Sequence, residues 1–254
     1  MDKYIELIKI GGKKILSYKG LITTLIIKNY IYIFLQYSLW LSIKENSSIN
    51  IDIKNILVYF IIIRSVNSVN FNLSQYMSYD VKNGNIVGIL TKPITVEKYY
   101  FFDILGNTIA KVLAILIPNI LIALFLIGKF NIFFIFKLII IIIGSYVLNF
   151  VIELILGTFS FFTQSIWGIE SLKSIFMLIL SGSFFPIEYY PEWSKKMLDY
   201  NPFVYIYGKI ADFILYEKNF LKILFFQTFF VLILFCVYKS IFKLCLKKIS
   251  INGG

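Results

Sequence analysis

Two ionisable residues stand inside long apolar runs of the sequence, and they are the first candidates for chemistry. Arg64, the only arginine of the chain, lies midway along one run, and Glu153 lies in another. A charge at the centre of a bilayer costs about 2.5–3.5 kcal/mol on the insertion scale, so both side chains should face protein or water. We predict that they pair with each other, either as a structural ion pair or within a substrate path.

Amide and hydroxyl side chains accompany both charges at helical spacing. They follow Arg64 over residues 67–75, and Asn149 lies one turn before Glu153. On a helix of 3.6 residues per turn the first group forms a broad polar face, which lipid cannot cover. The candidates for a translocation path or a bundle ion pair are Arg64, Asn67, Ser68, Asn72, Gln75, Asn149 and Glu153.

The usual signatures of catalysis are missing from the sequence. There is no histidine, which excludes a zinc site of the usual histidine-containing kind. The G-x-x-x-x-G-K-[ST] phosphate loop, H-E-x-x-H and G-x-S-x-G are all absent. The intramembrane acids are too few for a two-carboxylate site. We therefore predict no catalytic residue, no metal and no cofactor on this chain.

The composition predicts the fold class. The 254 residues are 59% hydrophobic and 15% charged, whereas soluble domains carry about 25% charged residues. Six runs reach the roughly 20 mostly apolar residues that a spanning helix needs. The sequence therefore predicts an all-α integral membrane protein, a single transmembrane domain over 1–254 with six transmembrane helices. The spans are expected at about 21–41, 55–77, 101–127, 132–162, 166–184 and 220–242.

The lysines predict the orientation. A formal net charge of +11 is compatible with nucleic-acid binding, but the lysines cluster at the ends of apolar runs, where they set topology. They concentrate in the N-terminal segment, the connection 80–100 and the tail, which places both termini in the cytoplasm and argues against a nucleic-acid partner. The richness in Ile, Lys and Asn suggests an AT-rich bacterial genome, so we expect the cytoplasmic cell membrane of such a bacterium.

The N-terminal segment, 1–20, is predicted to form an amphipathic interface helix on the membrane. Its lysines can meet anionic headgroups while its apolar residues enter the lipid interface. Gly11-Gly12 is expected to weaken the middle of this helix. No cleavable signal peptide is visible in the segment.

The connection between the second and third runs carries an ordered pattern. Asn83-Gly84 forms a turn, the next apolar residues cover one side of a short helix, and Pro93 ends it. The lysine distribution places this helix in the cytoplasm. Its candidate residues are Gly84, Ile86, Val87, Ile89, Leu90, Lys92 and Pro93.

The connection before the last run is punctuated by prolines. The sequence Phe184-Phe185-Pro186 suggests that the fifth span breaks off early and re-enters, which needs cover from protein or water. A surface helix over 192–200 should then lie at the outer headgroup level. The candidate residues of this outer re-entrant region are Gly182, Phe185, Pro186, Pro191, Trp193 and Pro202.

Two stretches together resemble a known family. G-N-I-V-G-I-L-T-K-P-I-T (84–95), after a polar second span, resembles the cytosolic signature of type-2 ATP-binding-cassette (ABC) exporter permeases. The stretch 180–203, with its F-F-P break and P-E-W helix, resembles their second signature. The six-run layout and the N-terminal helix extend the likeness over essentially the whole chain.

The resemblance implies a mechanism that the residues alone do not. Two such permeases pair, as a homodimer with a second copy or as a heterodimer with a paralogous permease. Separate ABC ATPase subunits bind ATP and Mg, and the helix at 84–93 would seat in a groove of one of them. The substrate would be an amphipathic toxin, antibiotic, peptide or lipid-like molecule that is moved out of the cell.

Two other functions remain open from the residues. An ion-gradient-driven secondary transporter or channel would use Arg64, Glu153 and the polar stretch 67–75, although no inverted repeat is apparent. An intramembrane enzyme would need a polar catalytic pair facing one cavity. An ATPase subunit that copurifies with the chain would favour the exporter permease.

Overall fold

The computed structural model describes residues 2–17, 19–47, 51–163, 165–217 and 219–252, and all regular elements in these ranges are helical. Three 3-10 turns, at Phe159–Phe161, Ile187–Tyr189 and Pro202–Tyr205, accompany the α-helices. The helices are α1 (Asp2–Ser17), α2 (Lys19–Asn46), α3 (Ile53–Val69), α4 (Leu73–Lys82), α5 (Asn85–Leu90), α6 (Val96–Lys111), α7 (Ile117–Ile127), α8 (Ile132–Thr158), α9 (Trp167–Leu180), α10 (Glu192–Leu198), α11 (Gly208–Tyr216) and α12 (Phe220–Asn252). The all-α prediction is confirmed for the described residues.

Within the described residues, four stretches are long and apolar enough to cross a membrane. They are Ile53–Lys82, Val96–Ile127, Ile132–Phe161 and Phe220–Leu246. The fifth predicted run yields only the 14 residues of α9. At 1.5 Å per residue such a helix is about 21 Å long, short of a hydrocarbon core about 30 Å thick. The structure therefore supports four of the six predicted spans, while the remaining two and the orientation stay predictions.

The second predicted run is not one helix. α3 ends at Val69, and the backbone is extended at Asn70 before α4 starts at Leu73. The last carbonyls of α3 and the first N–H groups of α4 therefore lose their helical partners. This unwound segment, 70–72, lies between polar faces of α8 and α9, where side chains can satisfy those groups.

The third predicted run changes its helical pitch instead of breaking. A π-turn at Val112–Leu116 separates α6 from α7, and the Ile117 N–H donates to the Val112 carbonyl. Pro118 follows at the start of α7 and has no N–H to offer the preceding turn. The wider π-turn accommodates the missing donor, so the helical run continues through the proline.

The N-terminal helix docks against the protein. α1 is continuous through Gly11-Gly12, which corrects the expected weak point. A Cβ on Gly11 would overlap the carbonyl oxygen of Asp103 in α6, and one on Gly106 would overlap that of Ile8. The two backbones therefore touch directly, and the Lys14 ammonium reinforces the crossing at 3.1 Å from the Asp103 carboxylate.

The segment 181–217, which we call the cap, is more folded than a connection. Gly182 turns the chain with φ +78°, and its carbonyl accepts a hydrogen bond of 2.8 Å from the Tyr59 hydroxyl of α3. The cap ends in α11, whose buried Ile210 and Phe213 belong to the main hydrophobic core. Sequence reasoning missed α11. Trp193 of α10 is exposed, and its position at the outer headgroup level stays a prediction. The re-entrant placement of the cap stays a prediction.

We expect Gly106→Ala to detach α1, because the added methyl group meets backbone that cannot move aside. The measurement is the rate of tryptic cleavage at the exposed lysines of α1 in the purified protein, which should rise severalfold. Gly168→Ala is the matched control, since nothing lies within 4 Å of a Cβ there. Equal cleavage rates in both variants would contradict the glycine crossing.

Candidate functional site

A polar cavity lies beside the unwound segment. Its volume is about 180 Å³, roughly the space of six water molecules. It lies between the unwound segment, α8, α9 and the cap, and it is open on one side. The lining residues are Asn67, Asn70, Phe71, Asn72, Asn149, Glu153, Lys173, Ser174, Met177, Leu178, Ser183 and Tyr207.

Glu153 is the central charge of this site and is only 1% exposed. Its carboxylate accepts hydrogen bonds from the Ser74 N–H at 3.0 Å and from the Ser74 hydroxyl at 2.6 Å. Ser74 stands in the first turn of α4, where N–H groups lack partners and the helix dipole favours a negative charge. The unpaired N–H groups at the start of α4 and the buried carboxylate therefore satisfy each other by hydrogen bonding.

Lys173 of α9 completes the charge pair. Its ammonium bonds to the Glu153 carboxylate, with the lysine side chain 10% exposed and the glutamate 1%. Buried Glu170, one turn earlier, contacts the Ser74 hydroxyl and the Gln75 side-chain amide. Because α9 lies at the edge of the bundle, these polar contacts are its main link to α4 and α8.

The predicted pair between Arg64 and Glu153 does not form. The Arg64 guanidinium lies over the Tyr32 ring of α2, 4.0 Å from the ring centroid, and its Nε has no hydrogen-bond partner. A cation over an aromatic face is stabilised by the ring quadrupole. Glu153 instead pairs with Lys173 of α9, a partner that was not predicted from the sequence.

The other predicted path residues divide into two groups. Asn67, Asn72 and Asn149 line the cavity together with Glu153, while Gln75 joins the adjoining carboxylate cluster. Ser68 does not take part, because its hydroxyl bonds to the Ser65 carbonyl of its own helix at 2.7 Å. The spacing of Glu170 and Lys173, three residues apart on one helix face, is the signal that could have found the missing partners.

The short helix α5 forms where it was predicted, but its faces differ from the prediction. Gly84 adopts φ +73° before it. Ile86 and Ile89 are buried in a core cluster with residues of α4, α6, α8 and α12, whereas Val87 is 55% exposed. The residues predicted to form one apolar face therefore lie on two sides of the helix, one buried and one exposed. We call the exposed part the rim, and it consists of Val87, Gly88, Thr91, Lys92 and Pro93.

Side-chain contacts hold α5 rigidly on its neighbours. The Asp80 carboxylate accepts a 2.8 Å hydrogen bond from the Tyr100 hydroxyl, and the Asn85 amide lies 3.4 Å away. The Lys92 ammonium lies over the Tyr99 ring at 4.3 Å from the centroid. These contacts tie both ends of the helix to α4 and α6.

A second cavity lies between the cap and the start of α3, with a volume of about 120 Å³. Three acids, Asp52, Glu188 and Asp212, line it with tyrosines. Burial raises the pKa of Asp212 to about 6, with nearby Glu188 adding to the rise and Lys209 opposing it. No group of three or more ligating side chains among the described residues could hold a metal ion.

The comparison with protein families decides the class. Residues 25–253 match the model of the ABC-2 family transporter protein. The chain belongs to the ABC-2 transporter family. The match confirms the sequence resemblance, and it makes the chain a permease component of an ABC transporter in a membrane. No curated protein matches the chain at a significant level.

Within this ABC-2 permease, we expect Glu153→Gln or Lys173→Met alone to cost about 3–5 kcal/mol, because each leaves the other charge buried and unpaired. The double variant should recover part of that loss. Unfolding by detergent titration in mixed micelles gives the free energies. The control cycle pairs Arg64→Met with Glu153→Gln and should be additive within about 0.5 kcal/mol. A stronger coupling of Glu153 to Arg64 than to Lys173 would refute the observed pairing.

Asp212→Asn should stabilise the protein above pH 6 and leave it unchanged near pH 4. The folded protein holds the Asp212 proton up to about pH 6, whereas the unfolded chain releases it near pH 3.9. The free energy of unfolding therefore falls as the pH rises between these values. The expected gain at pH 7.5 is about 3 kcal/mol, because the two pKa values differ by roughly two and each pKa unit corresponds to about 1.36 kcal/mol. Unfolding temperatures at pH 4.5 and 7.5 test this, and no gain at pH 7.5 would contradict it.

Proposed function

We propose that this ABC-2 permease is the membrane-spanning subunit of an ATP-driven exporter. A separate ABC ATPase subunit, which binds ATP and Mg, would supply the energy. The observation that carries the proposal is the rim of α5, an exposed surface on a short helix held firmly between two candidate spans. The proposed site is the cytoplasmic membrane of a bacterium, with both termini in the cytoplasm.

The rim is suited to contact an ATPase subunit. Val87 is exposed on α5, which follows the turn at Gly84. The opposite face of this helix is buried in the core through Ile86 and Ile89. A force on the rim would therefore pass into α4 and α6 rather than be absorbed by a loose loop. α4 leads directly to the Ser74–Glu153 contact at the cavity.

The cavity residues supply the proposed substrate path. Asn67, Asn72, Asn149 and the Glu153–Lys173 pair form a polar surface where the second candidate run is broken. The substrate would be amphipathic, such as a peptide, toxin, antibiotic or lipid-like molecule, and it would leave the cell. A second permease, either an identical copy or a paralogue, and membrane lipid would cover the apolar faces of α2 and α9.

We expect Val87→Asp to uncouple ATP hydrolysis from transport while the permease remains folded. The new charge faces outward, so its effect should fall on the ATPase contact and not on the core. The measurements are copurification of the tagged permease with an ABC ATPase from its native source, and substrate-stimulated hydrolysis of the complex.

Ile89→Asp serves as the contrast, because it buries a charge and should reduce the yield of folded protein. Unchanged copurification and stimulation in the Val87→Asp complex would sink the rim as the motor contact. Transport that needs a proton gradient and no ATPase would instead favour a secondary transporter.

A further inference from the structure

Asn149 presents its side-chain amide to the polar cavity. It lies in α8, 4% exposed, and lines the polar cavity. Its side chain makes no hydrogen bond with any residue that the structure describes. An amide without a protein partner at such a place can bind water or a ligand in the cavity.

Two further amides face the same space. Asn67 at the end of α3 and Asn72 in the unwound segment also line the cavity and lack hydrogen-bond partners among the described residues. The break between α3 and α4 leaves backbone groups beside them without helical partners. The cavity thus offers donors and acceptors in similar number and close together.

The charges of the cavity are already paired. Glu153 bonds to Lys173 and to Ser74, so neither ion is free to bind a charged headgroup. Part of the lining is apolar, formed by Phe71, Met177 and Leu178. The space therefore suits a neutral group that combines amides with an apolar side chain.

We propose that this cavity binds the backbone of a peptide substrate. The side-chain amide of asparagine presents one carbonyl and one NH₂ group, which match the N–H and C=O of a peptide unit. A volume of about 180 Å³ admits one residue and its flanking peptide groups, with the side chain against Met177. A carbohydrate would offer hydroxyl groups but would leave the apolar wall without a partner.

The proposal deepens the proposed function, since the transport role of the cavity rests on it. Binding of a peptide is measured on the permease without an ATPase, so its outcome is separate from that of the rim. An occupant would touch the Glu153–Lys173 pair that holds α9 to the bundle. It would also lie at the start of α4, whose far end leads into α5.

The test measures binding of a capped peptide to the purified permease in lipid nanodiscs. The probe is an acetylated and amidated tetrapeptide of alternating leucine and glycine, titrated by calorimetry with empty nanodiscs subtracted. We expect Asn149→Leu to weaken binding about tenfold or more. A backbone N-methylated probe should bind the native protein weakly and should not distinguish it from Asn149→Leu.

Asn29→Leu is the matched control. Asn29 is equally buried and has no hydrogen-bond partner, but it lies in α2 outside the cavity, so its loss should leave the affinity unchanged. Asn67→Leu provides a second variant of the lining if Asn149→Leu does not fold. Equal affinities for the cavity variants and the control would overturn the proposal.

Two further outcomes separate this proposal from the proposed function. Binding of maltotetraose with no binding of the peptide would assign the cavity to a carbohydrate and overturn the peptide assignment. Peptide binding that is lost in Asn149→Leu while Val87→Asp stays fully coupled would support the cavity and refute the rim. Peptide binding that is unchanged in Asn149→Leu, together with uncoupling in Val87→Asp, would refute the cavity alone.

Discussion

The structure depends on how one buried carboxylate is satisfied. Glu153 cannot keep its charge in an apolar bundle unless donors surround it, and it receives them from the start of α4 and from Lys173. In return, it satisfies backbone that the break at 70–72 leaves without partners. An unwound backbone at membrane depth is tolerated only where protein or water covers it. The broken helix, the ion pair and the cavity are thus one arrangement, and none of them would stand alone.

The same arrangement sets how α9 is attached. This helix lies at the edge of the bundle, with exposed Leu172, Ile175 and Ile179 on its outer side. Its polar residues reach across the cavity margin to α8 and α4. Its apolar attachment to the main core is confined to its C-terminal half, where Met177 and Leu180 pack. The core clusters on either side, in contrast, are closely packed and behave as rigid blocks.

Local chemistry explains what could be predicted from the sequence. The Asn83-Gly84 turn and the stop at Pro93 depend on backbone preferences of single residues, and α5 forms between them. The apolar runs likewise gave most helix positions to within a few residues. The partner of Glu153 could not be found in this way, because it depends on which helix lies across the cavity. α11 was missed because its nine residues are too few for a clear periodic signal, and its burial comes from α3.

The close crossing of α1 and α6 at Gly11 and Gly106 also bears on how the chain is made. α1 is synthesised before α6, and its docking surface exists only after five further helices, α2 to α6, have been synthesised. Until then a helix with exposed lysines and apolar residues can wait in the lipid headgroups. The amphipathic character of α1 therefore suits an early stage of assembly, and its glycines suit the finished molecule. The same short segment is therefore suited to the membrane surface during assembly and to its contact with α6 in the finished molecule.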